Sequence, residues 1–301
     1  MNFASRPQTH SANTSPWVAA MPWVFVLIWS TGFVVARYGL PYAEPLTFLL
    51  LRFAGVLLVL GPLVLLMRAP WPKGKTRHIA LAGILVQAGY LGGVWCAIKL
   101  GMPAGLSALI VGLQPVLTAF AAPLIGESVK PRQWLGLLLG LAGVGLVVAD
   151  KISLAGLSWQ SIALCVFALL SITSGTLYQK RYCPSFDLRT GTLIQFVASI
   201  AVVLPLALLF EDLDLSLSSV RWTPQFIAAL LWSVLALSIG AIFLLFALIR
   251  KSAATQVTSL LYLTPPTTAV MAWQMFREAF STTGMLGMAV AVAGVALVVR
   301  K

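Results

Sequence analysis

The sequence predicts an all-α integral membrane protein: ten transmembrane helices arranged as two inverted five-helix repeats. Of 301 residues, 59% are hydrophobic and 9% are charged, whereas an ordinary soluble domain carries about a quarter charged residues. Apolar runs follow one another almost without a gap from Trp17 to Arg300, each near the roughly 20 residues that cross a hydrocarbon core about 30 Å thick. The chain also resembles itself at a nearly fixed offset, so its second half reads as a copy of the first.

The spans fall at residues 17–36, 46–67, 78–98, 104–125, 133–149, 158–179, 190–210, 224–248, 253–274 and 283–299. Proline, glycine and charge clusters such as RAPWPKGKTR and GESVKPRQ mark the gaps between them. Residues 1–16 are polar and turn-rich and read as a disordered cytoplasmic tail with no cleaved signal. The two repeats cover residues 17–149 and 158–301.

An even number of spans puts both termini on one side of the membrane. That side holds Arg6, Arg68, Lys73, Lys75, Arg77, Lys130, Arg132, Lys180, Arg181, Arg189, Arg250, Lys251, Arg300 and Lys301, fourteen basic residues. The other side holds five, Arg37, Lys99, Lys151, Arg221 and Arg277, and Arg52 lies within a span. The positive-inside rule therefore makes both termini cytoplasmic in a multi-pass protein of the inner membrane.

The net charge of +12 is spent on this topology, and no nucleic-acid surface is expected. Cys96 and Cys165 fall inside apolar runs and Cys183 in a short basic loop, so no disulfide framework follows. His10 and His78 stand apart, and neither a metal site nor a cofactor is expected.

At an offset of 143, Ser30-Thr31-Gly32 meets Thr173-Ser174-Gly175, Arg37 meets Lys180, Glu44 meets Asp187, and Arg52-Phe53 meets Gln195-Phe196. At 150, Ala97, Ala104, Leu113 and Pro115 meet Ala247, Ala254, Leu263 and Pro265. At 151, Glu127 meets Glu278, and Gly136, Gly140 and Gly143 meet Gly287, Ala291 and Gly294. The offset grows at the acidic loop EDLDLSLSS, which reads as an insertion in the second copy. Five spans per copy is an odd number, so the second copy enters the membrane from the opposite side. Such inverted repeats place substrate near the midplane on kinked or discontinuous helices.

The stretches IWSTGFVVARY, EPLTFLLLRF and the Gly126-Glu127 pair followed by QWLGLLLGLAGVGLVV, with their second-half echoes, resemble the drug/metabolite transporter superfamily, EamA type. The resemblance covers about residues 20–300 and includes a ten-span, five-plus-five plan. It implies a secondary carrier, with spans 1, 3, 4, 6, 8 and 9 around a central cavity and amino acids or related metabolites as exported substrates. A broad-specificity drug or metabolite exporter is the alternative.

Pro115 and Pro265 each lie about eleven residues into a span, roughly 16 Å deep. Each proline removes an N–H and collides with the carbonyl four residues back, Val111 or Leu261. The freed carbonyl then needs another partner, water or ligand. A kink that only aids packing is the bland reading. Two such breaks at repeat-related depths, each preceded by a polar residue (Gln114, Thr264), with Tyr262 close by, favour a cavity.

Other polar groups extend that cavity. Trp29, Ser30 and Thr31 lie on span 1, Gln87, Tyr90 and Trp95 on span 3. Thr173, Ser174, Tyr178 and Gln179 lie on span 6, Trp232 and Ser238 on span 8. Their competing roles are hydrogen bonds to their own helix for the hydroxyls and interfacial anchoring for Trp95, Tyr178 and Trp273.

Arg52 lies about 10 Å from the outer end of its span. It either snorkels outward or grips a substrate carboxylate, and its repeat mate is the neutral Gln195. Glu127 and Glu278 start helices on opposite faces of the membrane, where the helix dipole favours them and where they can form gates with nearby basic residues. The small faces Gly136, Gly140, Gly143 and Gly287, Ala291, Gly294 permit close helix approach, either between spans 5 and 10 of one chain or across a homodimer; the chain is a monomer or a homodimer through those spans.

No acidic residue and no histidine falls in a span interior, so hydrolytic or metal chemistry lacks its groups, and nothing resembles a channel filter or charged ring. The expected partners are a small-molecule substrate and the lipid bilayer. The same lack of buried carboxylates leaves proton coupling, facilitated diffusion and exchange all open.

Overall fold

The computed structural model describes residues 16–102, 107, 110–149, 158–214, 216–251, 257, 259–276 and 282–299. Ala104, Asp150, Lys151, Ala254, Arg277, Glu278 and the tail 1–15 lie outside the described residues. Those that are described form ten helical units with no strand among them.

α1 runs Pro16–Gly39, α2 Pro45–Leu66 and α3 Thr76–Lys99. α4 is described over Gln114–Ala121, with a 3₁₀ extension Ala122–Ile125. α5 is Pro131–Ala149, α6 Trp159–Tyr182 and α7 Leu188–Phe210. α8 begins as Pro224–Trp232 and continues through a π-helical segment into Ala241–Lys251. α9 is Thr264–Phe276, entered through the 3₁₀ turn Leu260–Leu263, and α10 is Thr282–Val299. Five of these, α2, α3, α6, α7 and Pro224–Leu245 of α8, are long and apolar enough to cross a membrane.

Helix starts follow local chemistry. Proline occupies the first turn of α2 and α8, where its missing N–H costs nothing. Ser158, Asp187 and Thr223 cap α6, α7 and α8 by accepting from Ser161 N–H, Arg189 N–H and Phe226 N–H. α3 ends at Gly101, whose φ of 89° suits a residue without Cβ, while Met102 N–H reaches back to Ala97 O at 3.0 Å.

Helices pair across the halves of the chain. α5 lies against α10 and α2 against α7; α1 packs on α8 and α9, α6 on α3 and α4. The α2–α7 contact centres on Phe53 and Phe196, edge to face with ring centroids 5.2 Å apart, and these two residues are repeat mates. In the α5–α10 contact a Cβ on Gly136 would meet Gly294 O at 2.6 Å, and one on Gly143 would meet Ala291 N at 2.4 Å and Gly287 O at 2.7 Å. The small-residue faces foreseen for close approach pack on each other within the chain.

Candidate functional site

Two helices depart from α geometry at matching places. α3 winds as a π-helix over Ile84–Gly89 and α8 over Ser233–Gly240; the first segment shifted by 150 falls within the second. Each extra residue per turn re-aims the side chains around it: Tyr90 directly follows the first segment, and Leu237 and Ser238 lie in the second.

Between these segments is a cavity of about 50 Å³ lined by Trp29, Gly32 and Ala36 of α1, Arg52 of α2, Tyr90, Leu91, Val94, Trp95 and Ile98 of α3, and Leu237 of α8. Arg52 is 5% exposed, and its Nε donates to Ser238 Oγ at 2.6 Å. Arg52 therefore points inward and does not snorkel. Trp95 is buried and stacks on Phe48 at 4.8 Å, which removes it as an interfacial anchor.

The broken helices are present beside this region. A turn at Gly112-Leu113 precedes α4, whose second residue is the buried Pro115. The 3₁₀ turn Leu260–Leu263 precedes Thr264 and Pro265. The Leu261 carbonyl is not left open, as expected of a proline break, because Thr264 N–H closes back on it: the chain tightens rather than unwinds.

Gln114 is 1% exposed, donates from Nε2 to Thr176 Oγ1 at 3.4 Å, and has no partner for Oε1 among the described residues. Thr118 Oγ1, Tyr262 OH and Thr264 Oγ1 are likewise buried without a partner among them. Each such group costs about 1–3 kcal/mol if left dry; these four lie on α4 and on α9 with its entering turn, and Ser171 Oγ, Thr192 Oγ1 and Gln195 Oε1 on α6 and α7 are buried in the same condition. Gln87 is buried in the π segment of α3. Gln195, mate of Arg52, donates to Gln179 Oε1 at 2.9 Å in a buried neutral pair.

Several foreseen cavity residues lie elsewhere. Tyr178 joins His78 and Tyr182 at the end of α6, its hydroxyl 2.6 Å from His78 Nδ1. Trp232 is 47% exposed and donates to Thr31 Oγ1 at 2.8 Å, tying α8 to α1. Ser30 and Thr173 bond back to Val26 O and Leu169 O of their own helices. Tyr262 packs across Gly140 on the α5 side. Glu127 forms an ion pair with Lys180 at the end of α6; its mate Glu278 lies outside the described residues.

Sequence reasoning missed Gly32, Ala36, Leu91, Val94, Ile98 and Leu237 as lining residues. Glycine and alanine one turn apart on α1 are the signal that could have found two of them, since small side chains leave room for a cavity wall.

An all-helical bundle with several membrane-length apolar helices, broken helices and a largely apolar cavity lined by one buried arginine fits a multi-pass membrane transporter. The EamA-like transporter family profile matches twice, over residues 17–149 and 159–300. The chain belongs to that family. It is 27% identical to the uncharacterized transporter YvbV of Bacillus subtilis (strain 168), over 92% of this chain and 89% of that one. It is 26% identical to the uncharacterized inner membrane transporter YedA of Escherichia coli (strain K12), over 90% and 87%. A probable amino-acid metabolite efflux pump of Salmonella typhimurium is 29% identical over about half of each chain, 52% and 51%. A solved crystal structure shares the fold with a TM-score of 0.74 at 20% identity, covering 94% of this chain and 96% of that one.

Proposed function

We propose that this transporter is a secondary carrier of ten spans in two inverted repeats, residues 17–149 and 158–301 after a short tail, exporting amino acids or related metabolites by alternating access. It sits in the cytoplasmic membrane with both termini inside.

The observation that carries this reading is crosswise contact between repeat mates. Gly136 meets Gly294 while Gly143 meets Gly287, and the mates of Gly136 and Gly143 are Gly287 and Gly294. A pair in which i touches the mate of j, and j the mate of i, is the contact pattern of a two-fold axis. The same exchange relates α1 on α8 to α6 on α3. Paired breaks and paired π segments then lie about that axis, where inverted-repeat carriers bind substrate. The amino-acid class is supported by the relatives that are probable amino-acid metabolite efflux pumps.

Counterflow in proteoliposomes tests the reading. Labelled amino acids outside should accumulate transiently against unlabelled amino acid inside, saturably, and an imposed pH gradient reports coupling. Failure of every amino acid with folded protein transfers the proposal to the broader metabolite and drug class.

A further inference from the structure

Arg52 is a buried cation that has no counter-charge among the described residues. Among the described residues its hydrogen-bond partner is the neutral hydroxyl of Ser238, which leaves most of a five-donor fork free. Of the eight acidic residues, none falls inside a span. Glu44 pairs with Lys99, Glu127 with Lys180 and Asp187 with Arg189, while Glu211 caps α2. A cation taken out of water without a partner is costly, and a ligand anion offsets that cost.

The fold itself does not ask for the charge. At the matching place in the second half stands the neutral Gln195, which donates from Nε2 to Gln179 Oε1 while its own Oε1 has no partner among the described residues. The same repeat position is thus filled once by a neutral amide and once by a guanidinium that lines a cavity.

We propose that Arg52 is the anion-binding residue of the transport site, and that the ligand carries one carboxylate on a compact apolar or aromatic body. The fork offers parallel donors that match a carboxylate. Ser238, brought to Nε by the π segment of α8, fixes the fork's orientation. Trp29, Tyr90, Trp95 and Leu237 supply apolar walls for the rest of the molecule. A single charge balances a single carboxylate; a phosphate dianion would leave a net charge buried. A space of about 50 Å³ accepts the carboxylate group, and the body follows when the walls part. This inference names the ligand class of the site assigned above and rests on that reading for its route across the membrane.

Thermal unfolding of the purified protein at pH 7 and fixed ionic strength tests it. The probes are L-leucine, L-phenylalanine and phenylacetate, against isoamylamine, phenethylamine, phenylacetamide and inorganic phosphate. The acids should raise the midpoint saturably by several degrees, and the amines, the amide and phosphate should not. Arg52→Gln should abolish the acid effect, and Arg52→Lys should keep a weaker one. Ser238→Ala, which keeps the charge but frees the fork, should raise the half-saturating concentration about three- to tenfold. Equal stabilisation by phenylacetamide and phenylacetate, no acid effect on the wild-type protein, or an undiminished effect in Arg52→Gln overturns the proposal. The acid-against-amide comparison decides it even if that variant does not fold. Acid binding without counterflow would remove the transport reading and leave the site; counterflow of amines in place of acids would do the reverse.

Discussion

Glu211, one residue beyond α7, closes the start of α2 by accepting at Thr47. One carboxylate oxygen accepts from Thr47 N–H at 2.8 Å and Thr47 Oγ1 at 2.9 Å, and the other from Leu46 N–H at 2.7 Å. Two backbone donors that α2 cannot satisfy internally, and one hydroxyl, are thereby met from the other half of the chain. Glu211→Ala should lower stability by about 1–2 kcal/mol, read as a fall in the unfolding midpoint; a midpoint equal to wild type would mean that water replaces the cap at no cost.

The α5–α10 contact makes a sharp pair of expectations. Gly143→Ala forces a methyl against backbone atoms at 2.4 and 2.7 Å and should cost about 1–3 kcal/mol. Gly145, on the same helix, has open space where its Cβ would be, and Gly145→Ala should leave stability unchanged or raise it by about 0.5–1 kcal/mol. Midpoints of the two variants measured side by side check the contact independently of transport.

Gln114→Ala and Thr264→Ala remove buried polar groups that are incompletely partnered among the described residues. Neither should impair membrane insertion, and both should reduce counterflow. Wild-type rates in both variants would dismiss the broken helices as a binding region.

Asp187 carries the one cap whose acid sensitivity can be signed. Its carboxylate is held below the ordinary range, first by the hydrogen bond from the Arg189 side chain, against a smaller opposing effect of burial. A depressed native value means the group stabilises fully above its unfolded pKa, about 3.9. That contribution is lost as pH falls through the lower native value. Stability of wild type should therefore drop more steeply than that of Asp187→Asn below about pH 4, and the two should run parallel above it. Parallel curves throughout would show that the pair contributes nothing.

Helix positions were legible because hydrophobic length and proline or glycine gaps carry them: the expected 190–210 corresponds to Leu188–Phe210 and 283–299 to Thr282–Val299. The breaks before Pro115 and Pro265 were legible because proline's missing N–H is a local property. The π segments were not, since winding in one extra residue barely changes an apolar period already blurred by helices that are apolar all round. Arg52 could not be aimed from sequence because its stem reaches both the outer surface and the interior, and the Ser238 that settles its direction lies 186 positions away. The contacts of Tyr178 and Trp232 were not legible for a related reason. An aromatic with a polar tip suits a cavity, a helix end and a bundle edge equally, and only contacts with His78 and Thr31 distinguish these places.

The two contacts that join mate to mate, Phe53 on Phe196 in α2–α7 and the glycine faces of α5–α10, also constrain how the molecule can change shape. Each ties one half to the other at a fixed spot, one through an aromatic core and one through backbone laid on backbone. Two bodies pinned at two points keep a single free rotation, about the line through both pins. Any rearrangement that preserves both contacts must therefore swing the halves like a hinge on that line, and side chains near it, whatever their chemistry, move least.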